Sequence, residues 1–466
     1  MQALWRTSLL ALALAAPTAR ATDLLQAWQA AQQNDRELAV ARAAQATAQP
    51  LRDQARALWR PGVALTASAG VATGESDMRG AQFSAPGMGA SNGVNFSTSV
   101  TGGTATRWAL QARQPLLNAE RRAQQQQLGL QADSTELQWQ AAQQALMLRT
   151  AQRYFELAVA QESLQVLQRQ YEAVQQAAAE AQDRFALGAA PITATHEARA
   201  RQGALRAQVL AAQVALDLRR RELADSTGLP MDGLQAHLPA ALVPEPARTQ
   251  AALAHWQAQA QDGNPQIRLQ QLAADIAQAE ADKHRRSAAP TVDLVAQAGD
   301  ERLRGSGDHG SARNRSVNAM VGVQLSVPLY TGGWRGAKEA ESLRRWDQAR
   351  AQVEATRSQV DRDVHAAWLG LQVGAERVQA LGQALQASEA RLDATRTGLE
   401  VGHRTVLDLL NAENDTAATR LSLAQARSSL VLERLRLAAL AGQLDEAMLR
   451  SVQSPSQVQR NEMLSK

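Results

Sequence analysis

The side chains that could do chemistry gather in one short stretch, Gly402-His403-Arg404-Thr405-Val406-Leu407-Asp408-Leu409-Leu410-Asn411-Ala412. It sets a guanidinium, a hydroxyl, a carboxylate and an amide within about two helical turns. A weaker copy, Gly188-Ala189-Ala190-Pro191-Ile192-Thr193-Ala194-Thr195-His196-Glu197-Ala198, lies in the first half. This is the chemistry of charge and hydrogen bonding, not of bond making. The 7 His are scattered and offer no metal-ligand spacing. Ser, His and Asp occur without a nucleophile turn. No catalytic residue, metal or cofactor is expected, and the chain does not read as an enzyme.

Each stretch opens with a glycine that ends a long helical pattern and then restarts a helix. Gly can take the left-handed conformation that closes a helix, and Thr can cap the next one. Both therefore read as tips of helical hairpins. Ahead of the first tip, nothing breaks the helix from Ala119 to Leu187, and its later half carries a heptad at Leu164, Leu167, Tyr171, Val174, Ala178, Ala181 and Phe185. Ahead of the second, the heptad is Val378, Leu381, Leu385, Ser388, Leu392, Thr395 and Leu399, each 214 residues after its counterpart. Steps of three and four are the seam of a coiled coil.

Other anchors repeat as well. Pro115 and Arg122 match Pro328 and Arg335 at a shift of 213, and Pro61 matches Pro290 at a shift of 229. So many anchors at nearly constant offset mark an internal duplication. The expected organisation is a segment 1–21, a first repeat over 22–247, a second over 248–444, and a polar tail over 445–466. Each repeat reads as helix, strand, loop, strand, long helix, tip and shorter helix, with helices expected over Thr22–Trp59 and Thr249–Arg286.

The strands alternate with a period of two. Val63, Leu65, Ala67, Ala69 and Val71 share one face, as do Trp108, Leu110 and Ala112, then Val292, Leu294, Ala296 and Ala298, then Val317, Ala319, Val321, Val323, Leu325 and Val327. Residues 72–104 and 299–315 are rich in Gly and polar residues and read as loops. Trp59, Tyr330 and Trp334 lie beside the strand-flanking prolines, where an aromatic belt at a membrane interface would sit.

Composition supports long helices: aromatics make up 3% of the 466 residues, and Cys is absent. That excludes disulfides, zinc ribbons, a cysteine nucleophile and a lipid-modified cysteine. A net charge of +4 gives no reason to expect a nucleic-acid partner. Arg6, the apolar run from Leu9 to Ala16 and the Ala19-Arg20-Ala21 end form a secretory signal peptide with cleavage expected after Ala21. No later apolar run reaches the ~18 residues of a membrane helix, so entry into a membrane would be as β-strands. Four strands with apolar faces leave edges that a bilayer does not tolerate, so several copies must pool them.

The order of elements, the Pro-Leu pairs at the strand ends, Gln33-Asn34-Asp35-Arg36-Glu37-Leu38 and the Gly402-His403-Arg404-Thr405-Val406-Leu407-Asp408 tip resemble the TolC family of outer-membrane export channels over nearly the whole mature chain. The resemblance implies a mainly α protein with a transmembrane β-barrel part: a homotrimer with twelve barrel strands, four per chain, continued by a long periplasmic coiled-coil barrel. It implies a periplasmic adaptor and an inner-membrane ABC or other energised transporter as partners, in the outer membrane of a Gram-negative bacterium. Gly188, Ala189, Gly402, His403 and Thr405 match its adaptor-docking tips. Arg404 and Asp408 match its gate, where three copies of Asp408 would form an acidic ring. Asn411 stands where the family commonly has a second aspartate, Ala194 where it often has the arginine's partner, and Leu399 where it has a tyrosine; Glu197 could replace the missing partner. Charge compensation of a helix N-terminus is the alternative role for Asp408. The cargo is a protein, as in type I secretion, or small compounds, as in efflux. The competing class is a soluble periplasmic coiled-coil adaptor, which the four strands oppose.

Overall fold

The computed structural model describes residues 23–87, 89–189, 191–239, 250–308 and 310–453. The signal-peptide expectation over 1–21, the middle of the linker and the end of the tail lie outside the described residues. Two compact units form, one from residues 47–134 and 272–351, the other from the remainder. Both sequence repeats contribute to each unit, and the long helices α4 (Ala119–Ala186) and α8 (Trp334–Glu400) contribute to both.

The first unit holds one antiparallel sheet with strands in chain order: β1 (Gly62–Ala85), β2 (Gly89–Leu117), β3 (Thr291–Gly307) and β4 (Gly310–Ser326). Two hairpins, one per repeat, join through β2 and β3. The alternation read from the sequence sets the register: Leu65 faces Leu110, Leu110 faces Ala298, and Ala298 faces Ala319. Directly opposed residues share a face, so all four apolar sets lie on one side. Val321 is 77% exposed and Leu65 67% exposed. The other side carries Thr66, Arg113, Asp293, Gln297 and Gln324, and Arg113 Nη2 lies 2.5 Å from an Asp293 carboxylate oxygen. The outer edges of β1 and β4 are unpaired in the single chain.

Of the loops expected over 72–104 and 299–315, residues 72–85, 89–104, 299–307 and 310–315 are instead strand. β1 pairs with β2 out to Ala85 and Gly89, and β3 with β4 out to Gly307 and Gly310. Main-chain hydrogen bonding carries the hairpins past the point where alternation fades, with register shifts after Ala72 and Met78.

The second unit is helical. Each expected opening helix is divided: α1 (Leu24–Asn34), α2 (Arg36–Gln45) and α3 (Ala48–Ala57) in the first repeat, α6 (Gln250–Gly263) and α7 (Pro265–Arg286) in the second, of which α3 and most of α7 belong to the sheet-bearing unit. The α1–α2 and α6–α7 divisions are capping sites. Asp35 accepts from the Leu38 amide at 2.8 Å, and Asn264 accepts from Gln266 and Ile267 at 2.9 and 3.2 Å. They lie 229 residues apart, the shift already seen in the prolines. Each division also receives the helix that follows its own tip, α5 (Ile192–Thr227) or α9 (Val406–Leu440): Asn34 Nδ2 donates to the Thr227 carbonyl at 2.8 Å, and Asn264 Nδ2 to that of Leu440 at 2.9 Å. The second approach is so close that a Cβ on Gly263 would stand 2.5 Å from the Ala441 carbonyl oxygen.

The polar tail also contains structure. Glu446–Gln453 forms helix α10, capped by Asp445, which accepts from the Met448 amide at 2.8 Å. Its Leu449 and Val452 join Leu24, Trp28, Phe155, Leu223 and Leu435 in the main core. Towards the tips a smaller core of Val174, Ala178, Ala181, Ala198, Leu205 and Leu410 holds α4, α5 and α9. The second heptad is buried or half-buried throughout, whereas the first opens at Phe185, 42% exposed. No described helix is long and apolar enough to cross a membrane.

Candidate functional site at the paired hairpin tips

The two tips are built alike up to their glycines. At the end of α4, Gly188 adopts φ 73°, and the Ala189 amide donates back to the Arg184 carbonyl at 2.8 Å. At the end of α8, Gly402 adopts φ 81°, and the His403 amide donates to the Gly398 carbonyl at 2.8 Å. These are left-handed helix closures that favour glycine.

After the glycines the copies differ. Thr405 caps α9 through a reciprocal box: its hydroxyl accepts from the Asp408 amide at 3.1 Å, and the Asp408 carboxylate accepts from the Thr405 amide and hydroxyl, each at 2.9 Å. The Thr405 amide, then its hydroxyl, then the Arg404 charge hold the Asp408 carboxyl below its ordinary range. In the first tip the expected threonine cap does not form. Pro191 occupies the cap position without a side-chain bond, and the buried Thr195 donates to the Ala181 carbonyl at 3.3 Å, pinning α5 to α4. Proline at the cap leaves no side-chain acceptor for the first helical amides.

The two tips of one chain enclose a cleft of about 350 Å³ whose walls include Arg184, Ala194, Glu197, Leu399, Arg404 and Leu410. Arg404 and Glu197 thus share one space, but no ion pair joins them among the described residues. Arg404 instead lies along the last turn of α8, where a Cβ on Gly398 would come 2.7 Å from its Cγ. Gly402, His403 and Thr405 are exposed, as are Gly188 and Ala189.

Asn411 is engaged: its amide oxygen accepts from Arg201 Nη2 on α5 at 2.6 Å. One turn further, Gln170 of α4 donates to Asn414 of α9 at 3.2 Å. These bonds link the two hairpins of one chain. Arg201 was not legible as a site residue, because its pairing depends on how the hairpins pack and not on any local spacing. Along each hairpin, Arg199 donates to Gln182 at 2.7 Å and Arg396 to Glu413 at 2.9 Å. No cluster of acidic or histidine side chains suited to a metal occurs among the described residues.

Of the aromatics beside the strands, Tyr330 and Trp334 are exposed by 87% and 64%. Trp59 is half-buried, and its indole N–H donates to Gln125 at 2.8 Å. Trp108, which the sequence reading placed only in the apolar stripe, stands opposite Asp300 near the far rim of that stripe.

The fold has counterparts among known proteins. The family model of the outer membrane efflux proteins matches residues 27–229 and 256–443, one segment in each repeat. The chain belongs to the outer membrane efflux protein family. Outer membrane protein TolC of Escherichia coli is 26% identical over 92% of this chain and 83% of its own length. The proteases secretion protein PrtF of Dickeya chrysanthemi is 27% identical over 72% of each chain. Among solved structures, the Vibrio cholerae outer membrane protein VceC superposes with TM-score 0.70 at 20% identity, over 90% of this chain and 96% of that one. The Campylobacter jejuni CmeC outer membrane channel gives 0.72 at 16% identity, over 95% and 89%. As a member of the outer membrane efflux protein family, the chain is an outer-membrane channel component for secretion or efflux, with a large periplasmic helical part.

Proposed function

We propose that three copies of the chain close one channel that conducts cargo passively across the outer membrane. The observation that carries this reading is the sheet, with one apolar face, one polar face and two unpaired edges. Pooling three four-stranded sheets gives a closed twelve-stranded barrel without edges. From Val317 to Leu325 the apolar stripe runs about 27 Å along the strand. A tilt of about 40° reduces its height to roughly 21 Å, near the ~25 Å band of outer-membrane barrels. Tyr330 and Trp334 sit at the interface on the helix side of that band.

In this reading Gly188, Ala189, Gly402, His403 and Thr405 form the surface that a periplasmic adaptor engages, and an inner-membrane transporter supplies the energy. Arg404, Asp408, Asn411 and Glu197 line the constriction, with Asp408 repeated around the threefold axis. Transport needs no catalytic group in this chain. The cargo is taken to be a protein. The secretion proteins PrtF of Dickeya chrysanthemi and AprF of Pseudomonas aeruginosa, 27% and 26% identical, support that choice. Efflux of small compounds is the second reading, favoured by the efflux protein BepC of Brucella suis, 31% identical over 33% of this chain. Deletion of the chain separates them. Loss of a secreted protein without a change in sensitivity to dyes and detergents supports secretion, and the reverse supports efflux.

A further inference from the structure

Beyond the apolar stripe, on the same face, the β3–β4 hairpin carries four arginines in two directly opposed pairs, Arg302 with Arg315 and Arg304 with Arg313. Like charges placed directly opposite across strands are unfavourable, so their presence asks for a counter-charge. The first pair has one. Arg302 donates to both Asp300 oxygens at 3.0 and 3.2 Å, and Arg315 donates to Oδ2 at 3.0 and 2.7 Å. Asp300 is 4% exposed, so its acceptors are spent. The second pair, one pleat nearer the turn, makes no ion pair with any described residue, and both side chains are exposed. Four guanidiniums against one carboxylate leave a net +3 on this patch.

The position of the patch selects the ligand. It continues the face of Val317, Val321 and Leu294, which meets lipid tails, and it lies at the turn end of the hairpin, away from α7 and α8. In an outer-membrane protein whose helices are periplasmic, that end meets the outer leaflet. We infer that Arg304 and Arg313, backed by Arg302 and Arg315, bind the phosphates of an outer-leaflet glycolipid whose acyl chains lie along the apolar stripe. Each opposed pair sets two forked donors about 5 Å apart at the backbone, and paired guanidiniums suit a phosphate's several oxygens. The rows are separated by roughly 7 Å along the strand, so a headgroup with two phosphates engages both. This inference rests on the outward orientation of the apolar face.

The test is binding of lipid A to the full-length protein in detergent, measured by native mass spectrometry and by protection against heating. Diphosphoryl lipid A should bind, and dephosphorylated lipid A should bind about thirtyfold more weakly, at the usual scale per arginine near a charged membrane surface. Arg304→Gln with Arg313→Gln should produce the same loss, and Arg304→Lys with Arg313→Lys should retain most of the binding. The glutamine pair removes only a repulsive contact, so strand pairing persists; channel conductance equal to wild type verifies it. Equal binding of the phosphorylated and dephosphorylated lipids would overturn the inference. So would an unaffected glutamine variant, or full competition by equimolar inorganic phosphate, which would reveal a plain anion patch.

Discussion

Arg201 on α5 donates to Asn411 on α9 at 2.6 Å, tying the two hairpins of one chain together next to their tips. If the tips part when the channel opens, this bond breaks. Arg201→Ala should favour the open state by about 1 kcal/mol, roughly a fivefold shift, since the bond is open to solvent. Asn411→Asp converts the bond to an ion pair and should shift the balance the other way. Closed-time distributions of single channels in planar bilayers measure both. No change in either variant would remove this pair from the gate.

The Thr405–Asp408 box gives a pH dependence with a definite sign. The folded-state pKa of Asp408 lies below its ordinary 3.8, so the stabilisation is complete above that value and is lost as pH falls through the folded one. Protection of the first α9 amides, corrected for intrinsic exchange, should be flat from about pH 5 to 7 and fall only in stronger acid. Thr405→Ala should lower it throughout, by about 1 kcal/mol. For the proposed acidic ring, Asp408→Asn should weaken block of the current by multivalent cations while preserving much of the cap. Unchanged block would take Asp408 off the pore axis.

The two faces of β4 predict opposite responses at neighbouring positions. Val321→Arg places a charge against lipid near the centre of the apolar stripe, at a cost of about 2–4 kcal/mol. Met320→Arg, on the polar face, should insert normally. Heat-modifiable migration of membrane-assembled protein reads the difference. Equal assembly of the two variants would contradict the assignment of faces.

Arg149 holds the buried Asp35 at 2.8 Å and also reaches Glu37. Arg149→Ala leaves the Asp35 carboxylate at the α1–α2 division with the Leu38 amide but without its counter-charge. It should destabilise the helical unit by about 2–3 kcal/mol, less than a fully buried pair because the arginine is partly exposed. Circular dichroism at 222 nm during heating tests it.

What the sequence disclosed followed the physics of burial. The four stripes from Val63, Trp108, Val292 and Val317 were legible because one face meets an apolar medium and the other water. Beyond the stripe both faces meet polar surroundings, alternation disappears, and residues 72–85 and 89–104 read as loop although these two segments pair as strands. The helix divisions were hidden by high helical propensity around Asp35 and Asn264, yet Pro265 at a first helical position was a signal for the second. Helix α10 was masked by its polar tail, with the Asp445 cap and the apolar Leu449 and Val452 as its marks. The glycine closures and the Thr405 cap were readable locally. The Arg201–Asn411 link was not, since its partners lie 210 residues apart on separately packed hairpins.

The most direct measurement is reconstitution of the purified protein into planar lipid bilayers, alongside its mass in detergent. A trimer that is extracted only by detergent and conducts ions in discrete steps is the predicted result. A water-soluble monomer that never raises bilayer conductance would contradict the account.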